Sequence, residues 1–270
     1  MRLLRRIGLW LRLSPGASQS APSAASAATR GRVDHVVILD GTMSSLMAGY
    51  ETNAGLTYKL LSENPGSARQ SLRYAAGVQW RQWRNTMDVI RGAGINRQIR
   101  DAYGFLASRY RPGDRIFLFG YSRGAYAVRS LAGAIDTIGL LRADQATERN
   151  IRTAYRHYKG GVGDPVSRRF SELYCHDRVG IEMIGVWDTV KALGFRAPLL
   201  WLLSESRHAF HNHRLGPTTR HGYHALAMDE TREVYSPVLW ETSPRCTGDM
   251  EQVWFRGCHA DIGGHIGGFG

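Results

Sequence analysis

Asp114 to Ile138 reads DRIFLFGYSRGAYAVRSLAGAIDTI, and its two halves call for different backbones. Arg115 to Phe119 is a short apolar run rich in β-formers, bounded by Pro112-Gly113 and Gly120. Such a run fits a strand buried in a parallel sheet. Val128, Leu131, Ile135 and Ile138 then recur at helical spacing, so a helix follows with one face on the core. Between the two lies Gly120-Tyr121-Ser122-Arg123-Gly124, a G-x-S-x-G. A serine at so sharp a turn is held with its hydroxyl aimed out of the sheet, and the flanking glycines let strand and helix approach closely. The start of the helix offers its positive dipole end and free N–H groups to a developing oxyanion. The bare pattern is common, and a tight structural turn that happens to hold a serine is the competing reading. The strand before it and the amphipathic helix after it favour a nucleophile elbow.

Around this centre, 270 residues with 43 % hydrophobic content are enough for one sizeable α/β domain. The formal charge is +12, and lysine occurs only at 59, 159 and 191, so the basic side is almost all arginine. That balance favours anionic partners. No compact basic run or nucleic-acid motif occurs within the domain, so nucleic acid is not an expected partner. Cysteines 175, 246 and 258 have no metal-ligand spacing and cannot all pair internally, which fits a reducing compartment.

Residues 1 to 13, MRLLRRIGLWLRL, put Leu3, Leu4, Ile7, Trp10 and Leu11 on one side of a helical wheel, with arginines opposite. This is the composition of a helix lying on an anionic membrane surface; an inert disordered leader is the alternative. Arg12 interrupts the apolar run, so it does not read as a cleavable signal, and no apolar stretch is long enough for a transmembrane helix. The expected location is cytoplasmic, peripheral at the membrane. Ser14 to Thr29 is a Ser/Ala/Pro-rich linker, giving a leader and linker over 1–31 and a catalytic domain over 32–270.

Val33 to Leu39 reads as the first core strand, closed by Asp40-Gly41-Thr42-Met43. The backbone of Gly41, Thr42 and Met43 is the candidate second oxyanion donor, beside the N–H of Arg123; a turn capped by Asp40 is compatible with it. Helices are expected over Glu51–Leu61, around Ile99 to Tyr110, and to about Lys159, before a break at Gly160–Gly163. Ser67 to Gly94 gives weak signals; Trp80 and Trp83 there either pack under a loop or line a pocket. Val179 to Val186 reads as a strand ending in Trp187-Asp188-Thr189, which puts Asp188 on the same rim as the elbow.

Ala192 to Tyr223 reads as an excursion from the sheet, with an apolar run at Leu199–Leu203 that is either a lid or buried packing. Five histidines (208, 211, 213, 221, 224) crowd the region, but without ligand spacing, so no metal is expected. Asp229, Glu230, Arg232 and Glu233 read as a structural salt-bridge set. Met250 to Phe255 is the last strand, and His259 follows it in a glycine-bounded loop. Three strand ends thus deliver Ser122, Asp188 and His259 in the chain order of α/β hydrolases.

The segments ILDGTMSS, FGYSRGAYAVR, IGVWDTV, GYHALAMDETREVYSPVLW and VWFRGCHADIGG jointly resemble a bacterial α/β-hydrolase family, the catalytic domain of type VI secretion phospholipase effectors. The resemblance runs from about Val33 to the end. It implies an α/β-hydrolase fold, with a mostly parallel sheet, helices on both faces and helical excursions over the rim. It also implies ester hydrolysis without a cofactor, with Ser122 as nucleophile, Asp188 as triad acid and His259 as base. A phospholipid or related acyl ester is the expected substrate. A further core helix is expected past Gly264, so the sequence reads either as unusually short at its carboxyl end or as a piece of a longer chain. The rival class is a non-catalytic protein on a hydrolase fold, tethered to membrane by residues 1 to 13.

Overall fold

The computed structural model describes residues 30–42, 44–63, 69–77, 93–160, 163–190, 214–241 and 248–264. The leader, the linker, Met43, Trp80, Trp83, Leu199–Leu203 and His208, His211 and His213 lie outside these residues. Compactness divides the chain at Gly31/Arg32, and the fold described here is that of the second unit.

Six strands form one sheet: β1 (Val33–Leu39), β2 (Arg69–Ala75), β3 (Arg115–Tyr121), β4 (Ile181–Trp187), β5 (Thr219–Ala227) and β6 (Asp249–Phe255). Their spatial order is β2-β1-β3-β4-β5-β6, and every pairing is parallel. The helices are α1 (Asn53–Glu63), α2 (Ala93–Ala107), α3 (Arg123–Ile138), α4 (Glu148–Gly160), α5 (Pro165–Tyr174) and the short α6 (His259–Gly263). The chain leaves β1 toward β2, returns across β1 to β3, and from there advances in one direction. The order therefore reverses between β1 and β3, where a doubly wound sheet opens a crevice at its carboxyl edge.

Alternation along the strands divides the core in two. Val37, Leu39, Ile116, Leu118, Ile184 and Val186 face α2 and α3 and join the main cluster, which extends to α4 and α5. Val36 and Ile38 point the other way, toward Ala54 and Tyr58 of α1, with Phe117, Phe119 and Tyr121 beside them. Both faces of the sheet are thus covered, as a parallel sheet requires. Among the described residues no helix is long and apolar enough to cross a membrane.

β3, α3 and β1 match the sequence reading closely, and the remaining differences have local causes. Residues 219–223 are not part of an excursion: with 224–227 they form β5, inside the sheet between β4 and β6. Its alternating Thr, His, Tyr and Gly hide the strand, because the partners of His224, which are Thr189 and Gln252, stand far along the chain. β2, in the weak stretch, is an edge strand with a polar sequence, RQSLRYA. α5 follows the glycine break and is started by Asp164, whose carboxylate accepts the N–H groups of Val166 and Ser167 at 2.7 and 2.8 Å. α1 begins at Asn53 because Thr52 caps it: its hydroxyl accepts the Gly55 N–H at 2.9 Å and donates to Asp40 at 2.6 Å.

Helix α3 meets the end of β1 without a side chain between them. A Cβ on Gly124 would fall 2.0 Å from the Leu39 carbonyl oxygen, whereas one on Gly160, at the end of α4, would meet nothing within 4 Å. Gly124→Ala is therefore expected to lower the unfolding free energy by about 3 kcal/mol or more. Gly160→Ala should change it by less than about 1 kcal/mol. Denaturant midpoints of the two variants check this; equal midpoints would contradict the close approach.

Candidate active site

Ser122 is the residue between β3 and α3, and its backbone sits at φ 57°, ψ −122°. Among the described residues only Ser122 and Asp188 (φ 39°) are non-glycine residues with positive φ. Each such placement costs on the order of 1–3 kcal/mol and persists only when neighbours fix it. For Ser122 the neighbours are the Trp187 carbonyl, which accepts its N–H at 3.0 Å, and the tight glycines either side. Asp188 is fixed from β5: its N–H donates to the Ala225 carbonyl at 2.8 Å, and its Oδ1 accepts the Ala227 N–H at 3.1 Å.

These two strained turns aim their side chains at His259, the first residue of α6. Asp188 Oδ2 lies 2.5 Å from His259 Nδ1, and Ser122 Oγ lies 2.8 Å from His259 Nε2. A carboxylate oxygen only accepts, so Nδ1 carries the proton and Nε2 is the acceptor for the serine hydroxyl. All three side chains are buried. The arrangement can take a proton from Ser122 and spread the resulting charge toward Asp188.

The imidazole is held on both faces. Tyr121 stacks on one side with centroids 5.0 Å apart, and Tyr235 on the other at 4.7 Å. Its backbone is tied at both ends as well: the His259 N–H donates to Glu230 Oε2 at 3.1 Å, and its carbonyl accepts the Tyr121 hydroxyl at 3.1 Å. Gly263 makes room for this, since a Cβ there would fall 2.0 Å from the Tyr121 ring. Arg232 grips Glu230 with two bonds of 2.8 and 2.7 Å and lies 4.3 Å from the Tyr235 ring centroid. The Arg232 guanidinium holds the Glu230 carboxyl down at about 2, so it stays an acceptor for His259 at any ordinary pH. Asp229 completes the clasp, accepting the Gly257 N–H at 2.7 Å.

Of the expected salt-bridge set Asp229, Glu230, Arg232 and Glu233, Glu230 and Arg232 are paired, and with Asp229 they also hold the histidine loop. Tyr121 and Tyr235 were missed. Tyr121 carries a signal, as the first variable residue of the G-x-S-x-G motif; Tyr235 lies within one of the family-like segments, but nothing local marks it as a partner of His259. Of the oxyanion candidates, Gly41 packs against the elbow: a Cβ there would fall 2.7 Å from the Tyr121 ring and 3.4 Å from Ser122 Cβ. The Gly41 N–H donates to Asp40 Oδ1 at 2.7 Å. Thr42 follows half-buried, and Met43 lies outside the described residues. The Arg123 N–H precedes the first intrahelical bond, Tyr126 N–H to Ser122 carbonyl at 3.2 Å, and so is not used by the helix.

His224 acts beneath Asp188. Its Nε2 accepts the Thr189 N–H at 3.1 Å, its Nδ1 lies 3.3 Å from Gln252 Oε1, and Trp240 meets it edge-on. His221 points to the opposite face of β5, so the two are not partners. Burial, then the nearby Arg129, pull the pKa of His224 down to about 4.

The sequence over residues 34–268 matches the family described as T6SS, phospholipase effector Tle1-like, catalytic domain. An uncharacterized protein of Saccharomyces cerevisiae is 25% identical over 235 residues, covering 77% of this chain and 33% of its own. Among solved structures, the Tle1 effector bound to the VgrG spike of the type 6 secretion system is 17% identical with a TM-score of 0.40, covering 86% of this chain and 51% of that one. An uncharacterized protein from Pseudomonas aeruginosa is 16% identical with a TM-score of 0.45, covering 88% and 42%. The chain thus spans about a third of the curated relative and about half of the solved ones.

His224 makes stability depend on pH with a definite sign. It ionises near 6.5 when unfolded and near 4 when folded, so between those values the unfolded chain binds more protons. Its contribution is complete above pH 6.5 and falls as pH drops toward 4, by about 3 kcal/mol at most. Denaturation curves at pH 7 and 4.5 should show the loss, and His224→Gln, which cannot titrate, should show a correspondingly shallower one.

Proposed function

We propose, on the premise that the chain belongs to the T6SS phospholipase effector Tle1-like catalytic-domain family, that it is a serine hydrolase of carboxylic esters working through an acyl-enzyme. The observation that carries this reading is the buried chain of hydrogen bonds from Ser122 through His259 to Asp188 at the reversal point of the sheet. Family membership supports phospholipase or esterase activity, and a phospholipid or related acyl ester is the substrate we assign.

In this mechanism His259 Nε2 accepts the Ser122 proton as Oγ attacks the acyl carbonyl. Asp188 holds the imidazole in the required tautomer and stabilises its charged form. The Arg123 N–H and a backbone donor from Gly41–Met43 receive the oxyanion; the Gly41 N–H is engaged by Asp40, which leaves the N–H groups of the two residues after it as the candidates. His259 returns the proton to the leaving alcohol, and water then releases the acid from Ser122 by the same route. The chemistry draws on protein groups alone. Residues 32–270 form the catalytic unit in this reading, and residues 1–13 attach it to an anionic membrane surface from the cytoplasmic side.

Ser122→Ala should lower kcat by about 10³-fold or more while leaving the thermal transition intact. Only the unsubstituted protein should react with a fluorophosphonate; near-normal turnover by the alanine variant would end this reading. The stacked tyrosine gives a second test. Tyr235→Leu should lower kcat by up to about ten-fold with little change in KM, since an aromatic pair contributes about 0.5–1.5 kcal/mol. Tyr235→Phe, which keeps the stack, should retain most of the rate. Equal losses in the two variants would assign the effect to the hydroxyl instead.

A further inference from the structure

Asp40 directly follows β1, is buried, and takes no part in the hydrogen-bond chain from Ser122 to Asp188. A buried carboxyl group persists where its oxygens are matched by donors. Its Oδ1 accepts the Gly41 N–H at 2.7 Å, and its Oδ2 accepts the hydroxyls of Thr52 and Tyr74 at 2.6 and 2.7 Å. Burial, and then the bond to Asp40, push the Tyr74 phenol above its ordinary range, so it stays a donor. One oxygen is thus fastened to the cap of α1 and to β2. The other is spent on a single backbone group beside the nucleophile.

That group opens the loop that carries the candidate oxyanion donors. The Gly41 carbonyl is also engaged: it accepts the Ser44 N–H at 3.2 Å, and Ser44 Oγ accepts the Gly77 N–H at 3.2 Å. Gly77 presses on the same peptide, since a Cβ there would fall 2.1 Å from the Gly41 carbonyl oxygen and 2.6 Å from the Thr42 nitrogen. The two peptides that flank Gly41 are therefore held separately, the one before it by Asp40 and the one after it by Ser44 and Gly77. Glycine has the widest choice of φ and ψ, and holding both its peptides removes that choice. Among the described residues nothing accepts the Thr42 N–H.

We infer that Asp40 is a positioning residue for the oxyanion side of the site: its side chain locks Gly41, and with it the direction of the N–H groups that follow. This rests on the reading of Ser122 as nucleophile. The duty needs both oxygens, because asparagine has one accepting oxygen and an NH2 group that only donates. In Asp40→Asn the oxygen can keep Thr52 and Tyr74, but the NH2 group then meets the Gly41 N–H donor to donor. The loop is released while the bonds to α1 and β2 survive. Oxyanion donors work by being fixed before the charge develops. A loop that has to reorder loses rate in kcat and leaves binding of the uncharged ester alone.

Turnover of p-nitrophenyl butyrate reads this effect. Asp40→Asn should lower kcat about ten-fold or more, with KM changed less than about two-fold. A trifluoromethyl ketone analogue of the ester, whose carbonyl carbon bonds Ser122 Oγ as the serine proton passes to His259, should bind more weakly by a similar factor. Tyr74→Phe removes one scaffold bond and leaves Gly41 its acceptor, so it should lower the denaturant midpoint while kcat stays within about three-fold of normal. A purely structural Asp40 gives lower midpoints in both variants with normal kcat per folded molecule. That result, or unchanged ketone affinity in Asp40→Asn, overturns the inference. Hydrogen exchange on the unsubstituted protein needs no variant to fold: the Gly41 amide should exchange at least about 100-fold more slowly than an unstructured one, and free exchange overturns the inference. A protein that neither cleaves the ester nor reacts with a fluorophosphonate refutes the Ser122 reading, and the oxyanion duty with it. Normal labelling together with unchanged kcat in Asp40→Asn refutes the duty alone.

Discussion

With no side chain on Gly124, the first turn of α3 is pressed against the last carbonyl of β1. That contact sets how sharply the chain must turn at Ser122, and so the positive φ that turn requires. It also brings the loop after β1 beside the serine, where Gly41 fits between Tyr121 and Ser122. The loop cannot drift from this position. Asp40 ties it to α1 through Thr52 and to β2 through Tyr74, at 2.6 and 2.7 Å. A backbone contact between two elements thus positions groups on four.

The second strained turn, at Asp188, rests on polar groups instead. Thr189 gives its N–H to His224 and takes the Val238 N–H at 2.8 Å, while Gln252 bridges His224 and the backbone of Trp240. Arg129 anchors the same segment from the other side. A buried network of this kind is stiff only when its members are matched to one protonation pattern. Here the arrangement needs a neutral His224; burial, and then the Arg129 charge beside it, keep it so.

The parts of this design that sequence displayed are those governed by one local rule. The apolar run of β3, the helical spacing of α3 and the two glycines of the elbow each encode their conformation within a few residues. Strand ends at Trp187 and Phe255 were legible for the same reason, and they carried Asp188 and His259 with them. What stayed hidden depends on partners far along the chain. β5 looks like a polar loop until His224 is seen to serve Thr189, and Glu230 looks like a surface acid until its acceptor role for His259 is seen. Tyr235 sits on a single 3₁₀ turn, Glu233–Tyr235, whose sequence announces no structure.

The fit of Tyr121 against α6 links two positions 142 residues apart. The ring fills the space that a side chain at Gly263 would need, and its hydroxyl holds the carbonyl of His259. Neither residue is free to change alone. A larger residue at 263 needs a smaller one at 121, yet a smaller residue at 121 releases the histidine before any replacement support exists. The route by which such a sequence drifts is therefore narrow and ordered. Diversity in descendants of this chain should collect elsewhere on the rim, with the aromatic inside the serine motif and the glycine after the histidine inherited as a single unit.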